Sequence, residues 1–214
     1  MMISPEWYYE EHLKGKSKEQ IMTSIRGLKQ RIGSLKNSME NPYEDIKIFM
    51  QPSEETQLYW TREYLKMAKQ AYAEAGGTYI MSESEARAAE FDENIYSISK
   101  ITFRIKKSSD IFHKYVIEVL NDIITLSEFR EHGLIKKRHK KNVTKTVFLY
   151  ELKNLHIGER RRRYSAKHDE FNVLNITKWE VEFEYSNEFK PKKFGGENAY
   201  PYNFDRFQML FEVD

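Results

Sequence analysis

Apolar residues recur every three or four positions in the amino-terminal part of the chain, which is the pattern of a helix with one buried face. In the first such stretch they are Ile21, Ile25, Leu28, Ile32, Leu35 and Met39. Ser17 and Gln20 have the spacing of a capping box, in which each side chain bonds the other residue's backbone amide. The first helix is therefore predicted to begin at Ser17.

A second helix is predicted to begin at Ser53, directly after Pro52. Glu54 and Glu55 would then place negative charge in its first turn, where the helix dipole stabilises it. The helical spacing continues through Leu58, Thr61, Leu65, Ala68, Tyr72 and Ala75. Gly76 is suited to the left-handed conformation that ends many helices, so the helix is predicted to stop there.

These two helices are predicted to form a helical hairpin within one chain. Read as heptads, the first repeat has Ile at position a and Leu at position d, which suits a two-stranded coiled coil. The repeat is shorter than three heptads and contains Gly27 and Gly33, each of which costs up to about 1 kcal/mol relative to Ala. An intramolecular partner is therefore the prediction, and a homodimer through the helical region is the alternative.

Two short elements are predicted around this hairpin. Residues 46–50 are apolar except for Lys47 and lie between Pro42 and Pro52, which indicates a short edge strand. Ser82 and Glu85 repeat the capping-box spacing, which predicts a brief helix as far as about Glu90.

The period changes from helical to two after Asn94. Apolar and polar residues alternate over residues 101–106 and again over residues 178–185, as in strands with one buried face. Residues 143–155 are predicted to form a central strand covered on both faces, because successive positions at 147–150 are apolar. A terminal strand is predicted over residues 207–213 from the alternation of Phe207, Met209, Phe211 and Val213.

Residues 110–131 fit two structures. A long helix is preferred, because Phe112, Val116, Val119, Ile123 and Leu126 follow helical spacing. In that interpretation Asp110 caps the helix and Gly133 ends it. The alternative is a β-hairpin that turns at Asn121 and Asp122, and the high content of β-branched residues supports it.

Together these elements predict an α+β fold, with an amino-terminal helical hairpin followed by an antiparallel β-sheet packed on a long helix. Composition shifts from Ala, Glu and Leu towards Ile, Phe, Tyr and Val near residue 92. The predicted domains are therefore a helical hairpin region at 1–92 and a β-rich domain at 93–214 that contains one long helix and a basic segment.

Charge is distributed unevenly along the chain. Residues 134–168, the basic segment, contain twelve Lys or Arg and two Glu, a net charge of +10. The whole 214-residue chain carries +2, so its remainder carries −8. Such asymmetry indicates an anionic partner. The candidate nucleic-acid-binding residues are Lys136, Lys137, Arg138, Lys140, Lys141, Arg160, Arg161, Arg162, Arg163 and Lys167.

The leading functional hypothesis is a non-enzymatic binding protein whose basic segment engages nucleic acid or a nucleoprotein complex. Four successive Arg residues favour phosphate, to which guanidinium groups bond bidentately. Tyr150 and Tyr164 are predicted to stack on unpaired bases, which favours single strands or RNA. An acidic protein partner, a protein-interaction module that docks through the helical hairpin, and a merely solvated basic turn remain alternatives. The profile suits small regulators or inhibitors encoded by mobile elements.

The motifs of several enzyme and cofactor classes are absent from the sequence. It contains no G-x-G-x-x-G, no G-x-x-x-x-G-K-[ST], no G-x-S-x-G and no H-E-x-x-H, so neither a cofactor nor a metal site is predicted. The absence of Cys excludes disulfides and thiolate catalysis and favours a reducing, cytoplasmic location. Neither a secretory leader nor an apolar run of about 18 residues is present, so no membrane association is expected.

Residues 147–153 resemble the second half of the restriction-endonuclease-like nuclease motif, in which an apolar strand ends in Glu-x-Lys. The resemblance implies a Mg²⁺-dependent nuclease in which Glu151 binds the metal and Lys153 positions the attacking water. Asp122 or Asp110 would supply the first carboxylate. The same short pattern also begins at Asp45 and at Glu188, so an alternation of solvated charges on a strand is the preferred explanation.

Residues 133–138, which end in Lys-Lys-Arg, resemble the wing of a winged-helix DNA-binding domain together with the polar turn that follows them and residues 147–152. The resemblance implies a β-hairpin that contacts DNA and a helix that precedes it. The segment 111–129 is too apolar to serve as the recognition helix, so the resemblance covers the wing alone.

Overall fold

The computed structural model describes residues 3–40, 51–107, 112–131, 133–140, 143–165 and 176–212. Helices precede a mixed helix-and-sheet region, which confirms the predicted α+β class. The chain divides into two compact units, Met1–Met81 and Ser82–Asp214. The short helix at Ser82 therefore belongs to the carboxy-terminal unit, whereas the composition shift placed the boundary near residue 92.

The amino-terminal unit consists of helices α1 (Pro5–His12), α2 (Lys18–Glu40) and α3 (Glu54–Glu74). Its core is one cluster of buried side chains. The cluster consists of Leu13, which follows α1, Ile21 and Ile25 of α2, and Ala68 and Ala71 of α3. The small Ala side chains let the two helices approach closely, and the predicted intramolecular hairpin is confirmed. Homodimerisation through this region stays a prediction.

Both predicted helix starts in this unit are confirmed by their caps. The backbone amide of Ser17 donates to the side-chain carbonyl of Gln20 at 2.9 Å. The Ser53 hydroxyl accepts from the Thr56 amide, which satisfies one of the donors that the start of a helix leaves unbonded. The edge strand predicted over residues 46–50 lies outside the described residues.

The carboxy-terminal unit is built on one seven-stranded sheet with the strand order β4-β3-β2-β1-β6-β7-β5. Neighbouring strands are antiparallel except β5 and β7, which are parallel. The strands are β1 (Ile98–Lys107), β2 (His113–Leu120), β3 (Ile123–Arg130), β4 (Gly133–His139), β5 (Arg163–Ser165), β6 (Thr177–Tyr185) and β7 (Lys192–Glu197). The helices are α4 (Glu83–Glu93), α5 (Lys145–Asn154) and α6 (Phe204–Met209), with 3₁₀ turns at Ile95–Ser97 and Ile157–Glu159.

Aromatic side chains join one face of this sheet to the helices. Phe103 on β1 lies 5.7 Å from Phe207 and 5.2 Å from Phe211, and Phe91 on α4 meets Phe183 on β6 edge to face at 5.2 Å, measured between ring centroids. The opposite face carries charged side chains, so the predicted alternation of β1 and β6 is confirmed. The capping box of α4 at Ser82 is also present.

The helix predicted over residues 110–131 is wrong, and the alternative hairpin is confirmed by β2 and β3. Asn121 and Asp122 form its turn with φ of 46° and 64°. A two-residue turn with positive φ at both positions has the same twist as the strands that it connects. Asn and Asp tolerate positive φ better than most residues do. Tyr115, Ile117 and Val119, at every second position of β2, are buried in the core. The apolar residues of this segment therefore fit the two-residue period of a strand as well as the spacing of a helix.

Two segments predicted as strands are helices. The segment predicted as a strand over 143–155 contains α5 (Lys145–Asn154), where Thr144 caps the first turn by accepting from the Val147 amide. Phe148, Leu149 and Leu152 are buried, whereas Val147 is 49% exposed and Tyr150 58%, so the apolar residues do not fill both faces of a strand. The terminal strand predicted over 207–213 is likewise wrong, because residues 207–209 belong to α6, which buries Phe204 and Phe207, and Val213 lies outside the described residues. None of the described helices is long and apolar enough to cross a membrane.

Candidate anion-binding site

The fold divides the basic segment between the two opposite edges of the sheet. Lys136, Lys137 and Arg138 lie on β4, the first strand in spatial order, and Arg163 lies on β5, the last. Six strand-to-strand steps separate them, which at about 4.8 Å per step is about 29 Å. The two halves of the predicted site therefore do not form one compact cluster.

Part of the charge at the β4 edge is already neutralised. Arg138 forms an ion pair with Glu212, and the Nζ atom of Lys140 lies 3.2 Å from the same carboxylate. Lys136 and Lys137 are exposed on the strand. Lys141, the remaining candidate at this edge, lies outside the described residues.

Arg160 differs from the three Arg residues that follow it, because its side chain is buried. It is 6% exposed, and its Nη2 atom donates to the Asn203 Oδ1 atom at 2.9 Å. Its guanidinium carbon lies 4.8 Å from the centre of the Phe207 ring. Asn203 in turn donates to the Leu155 carbonyl at 2.6 Å. Arg160 thus links the segment that leads into β5 to the core.

Arg161, Arg162 and Arg163 are exposed around the start of β5. The Tyr164 hydroxyl accepts from the Arg161 amide at 3.2 Å, and the Tyr164 ring lies 5.9 Å from Trp179. Tyr164 is only 5% exposed, so its predicted stacking on a base is wrong. Lys167 lies outside the described residues.

Two clefts flank β5 and share Arg162, Lys193 and Phe194. The first, the sheet-side cleft, has a volume of about 620 Å³ and runs beside the solvent-facing side chains of β1, β6 and β7. Its charged lining residues are Arg104, Lys106, Arg162, Arg163, Lys178, Lys193, Glu180 and Glu197.

The second, the helix-side cleft, has a volume of about 400 Å³ and lies between α4, the 3₁₀ turn and residues 190–194. Its cationic lining residues are Arg87, Arg160, Arg162, Lys190, Lys192 and Lys193. Among the described residues no carboxylate lines this cleft. The two clefts together form a basic strip around the β5 edge of the sheet.

Ion pairs neutralise several of these cations but not all of them. On the sheet-side cleft, Arg104 pairs with Glu180 at 2.7 Å and Lys178 with Glu197 at 3.3 Å. By contrast, Lys106, Arg162 and Arg163 have no ion-pair partner within the part of the chain that the structure describes. The uncompensated positive charge therefore concentrates at the start of β5 and the end of β1.

The backbones of β5 and β7 lie close together, and this contact positions β5 at the edge of the sheet. Gly195 donates its amide to the Arg162 carbonyl at 3.1 Å, and β5 pairs with β7 at Arg163 and Gly195. A Cβ atom on Gly196 would lie 2.6 Å from the Trp179 ring nitrogen, so only Gly permits this packing. The glycine pair in β7 thus allows the short basic strand to lie at the edge of the sheet.

Sequence reasoning missed the cations that approach β5 from other parts of the chain. Arg87 lies on α4, and Lys190, Lys192 and Lys193 precede or begin β7. The cluster at 190–193 is the one local signal that pointed to them, since three of its four residues are Lys. Arg87 has no such signal, because only the packing of α4 brings it to the cleft.

The arrangements required by the two resemblances are not found in the described residues. Glu151 and Lys153 lie on α5, and residues two apart on a helix do not face the same side. Asp122 is in the hairpin turn, Asp110 lies outside the described residues, and no described group of His, Asp and Glu side chains has the arrangement of a metal site. The wing interpretation is wrong, because α5 follows β4 where the wing needs a strand.

A scan against models of protein families and searches of curated proteins and of solved structures each returned no match. The basic strip around β5 is therefore the main evidence on function. Its cations come from α4, β1, β6 and the segments at 160–163 and 190–193, so folding brings together charges that the chain keeps apart.

Proposed function

We propose that the chain is a non-enzymatic nucleic-acid-binding protein that holds a sugar–phosphate backbone in the two clefts beside β5. The observation that carries this proposal is the group of exposed cations Lys106, Arg162 and Arg163, which have no ion-pair partner among the described residues and line the sheet-side cleft, with Arg162 at its junction with the helix-side cleft. Guanidinium groups bond phosphate oxygens in a bidentate manner, and a repeating polyanion engages several such groups at once.

The shape of the strip favours a single strand. It bends around a sheet edge from the charged face of the sheet to the α4 side, and a flexible strand follows such a path more easily than a stiff duplex does. The buried rings of Tyr164 and Trp179 offer no stacking platform, so binding is expected to depend on charge rather than on base sequence. The absence of Cys supports a cytoplasmic location for this activity.

The proposal is tested by the salt dependence of binding to a labelled single strand and a labelled duplex, from about 50 to 200 mM salt. Replacing Arg162 and Arg163 with Gln is expected to weaken binding and to flatten the slope of log K against log salt by about 1.4, since each phosphate contact on a single strand contributes about 0.7.

The matched control replaces Lys136 and Lys137 with Gln at the opposite edge of the sheet. It removes the same charge and is expected to leave the slope nearly unchanged. Equal effects of the two double substitutions would show a non-specific response to net charge. A wild-type chain with no affinity for either nucleic acid at low salt would contradict the proposal and favour an acidic protein partner.

A further inference from the structure

The helix-side cleft has a rigid base. Phe91 is 2% exposed and Phe194 7%, and their rings meet edge to face with centroids 6.3 Å apart. The 3₁₀ turn at Ile157–Glu159 lies directly against α4, because a Cβ atom on Gly158 would lie 2.8 Å from the Ala88 carbonyl oxygen. Its volume of about 400 Å³ is within the range of about 300–1,000 Å³ that is usual for small-molecule sites.

The charge in this cleft is not balanced by its surroundings. Lys192 pairs with Glu90 at 3.0 Å and Lys193 with Glu182 at 3.1 Å, so these two cations are compensated from outside the cleft. Arg87, Arg162 and Lys190 have no ion-pair partner among the described residues. These three positive charges, together with the buried Arg160, therefore surround a recess with an apolar floor and no described carboxylate in its lining.

The two clefts differ in the anion that they favour. Glu180 and Glu197 line the sheet-side cleft in ion pairs with Arg104 and Lys178, so the lining of this cleft carries less net positive charge than that of the helix-side cleft. A phosphodiester within a strand carries one negative charge, whereas a phosphate monoester carries about −1.5 to −2 at pH 7. The helix-side cleft, which has no described carboxylate in its lining, is therefore better matched to the more highly charged monoester.

We propose that the helix-side cleft binds the terminal phosphate monoester of a nucleic-acid strand. Arg87, Arg162 and Lys190 supply the charge-assisted hydrogen bonds, and the strand continues past Arg162 and Lys193 into the sheet-side cleft. This inference rests on the proposed nucleic-acid-binding function and names the part of the ligand that one cleft selects. The deeply buried Phe91 and Phe194 leave little ring surface for a base, so the identity of the terminal base should have little effect.

The experiment compares single-stranded oligonucleotides of one sequence that end in a 5′-phosphate, in a 3′-phosphate or in hydroxyl groups only. Fluorescence anisotropy with the full chain is expected to show a roughly tenfold tighter affinity for one of the phosphate-ended strands, the size of an added charge-assisted contact. A nucleoside monophosphate serves as the competitor in a separate titration.

Two double substitutions separate the clefts. Replacing Arg87 and Lys190, which line only the helix-side cleft, with Gln should abolish the preference for the phosphate end, so that phosphate-ended and hydroxyl-ended strands bind with equal affinity. Replacing Lys106 and Arg163, which line only the sheet-side cleft, with Gln should weaken binding of all strands by a similar factor. All four side chains are exposed, and circular dichroism checks that both variants stay folded.

The outcomes distinguish this inference from the function on which it rests. Salt-dependent binding with equal affinity for phosphate and hydroxyl ends overturns the inference and leaves the proposed function standing. Binding of the nucleoside monophosphate, lost in the Arg87 and Lys190 variant, without binding of any strand overturns the nucleic-acid function and with it the strand-end assignment. A chain that binds none of these ligands contradicts both.

Discussion

Arg160 and Asn203 form a buried hydrogen bond in the carboxy-terminal unit, with the Arg160 Nη2 atom donating to the Asn203 Oδ1 atom at 2.9 Å. Asn203, 4% exposed, also donates to the Leu155 carbonyl, so one amide links the basic segment, the end of α5 and the start of α6. The first of four consecutive Arg residues thus stabilises the fold, while the others are exposed.

Replacing Asn203 with Ala should lower the free energy of unfolding by about 1–3 kcal/mol, because it removes a partner of the Arg160 guanidinium and the donor to the Leu155 carbonyl. Urea denaturation followed by circular dichroism measures the change. Replacing the exposed Asn154 with Ala is the control and should alter stability by less than about 0.5 kcal/mol. Equal effects of the two substitutions would contradict the assigned role of Asn203.

Gly158 and Gly27 should respond in opposite directions to substitution by Ala. At Gly158 the added methyl would lie 2.8 Å from the Ala88 carbonyl oxygen and 2.9 Å from the Phe91 Cβ atom, and such overpacking costs about 1–3 kcal/mol. Gly27 lies inside α2 with nothing within 4 Å of the added atom, so Ala should stabilise that helix by about 0.5–1 kcal/mol. Thermal denaturation of both variants measures this, and a gain at Gly158 would be inconsistent with the close approach to α4.

The hairpin turn should be sensitive to the residue at Asp122, whose φ is 64°. Gly adopts this conformation without strain, so Asp122→Gly should stabilise the chain by about 0.5 kcal/mol. A β-branched residue is strongly disfavoured there, so Asp122→Val should destabilise it by about 1–2 kcal/mol. Urea denaturation of the two variants provides the measurement. If Val were tolerated as well as Gly, residues 113–130 would not form this hairpin.

Burial raises the pKa of Asp92 to about 6, with a further increase from the nearby Glu159 charge and an opposing effect of Lys153. Because the folded-state pKa is above the ordinary value of 3.8 for an Asp carboxyl, the folded chain binds the proton more tightly than the unfolded chain. The carboxyl therefore contributes most to stability at low pH, and this contribution is lost as pH rises from about 4 through 6.

Replacing Asp92 with Asn should consequently raise the melting temperature at pH 8, and the gain should disappear below about pH 4. Melting curves of wild type and variant at several pH values test this. The exposed Glu93 on the same helix provides the matched control, Glu93→Gln. A gain from Asp92→Asn that does not change with pH would exclude titration of this carboxyl as its cause.

Local sequence by itself determined the elements whose signals act over one or two helical turns or along one strand. The capping residues Ser17, Ser53 and Ser82 mark helix starts, because each hydroxyl bonds an amide within three residues. The alternation in β1 and β6 predicts strands with one buried face, since successive side chains on a strand point to opposite faces. These predictions did not require knowledge of the partner elements.

Only the tertiary structure decided the segments whose apolar residues fit two periods. The apolar residues of the segment 113–130 fit both the spacing of a helix and the alternation of a strand. Pairing of β2 with β1 and of β3 with β4 determines which of these residues are buried. In α5 the apolar residues that suggested a two-sided strand include exposed Val147 and Tyr150, because a helix needs only one buried face.

The sequence predicted only part of the candidate site, because packing of the whole unit also determines which residues the site contains. The charge of the basic segment is a property of the sequence, and it correctly drew attention to Arg162 and Arg163. Strand order then placed Lys136 and Lys137 at the far edge of the sheet and brought Arg87 and Lys190 to β5. Proximity between residues distant in sequence arises from packing of the whole unit, so no local pattern could specify which cations share a cleft.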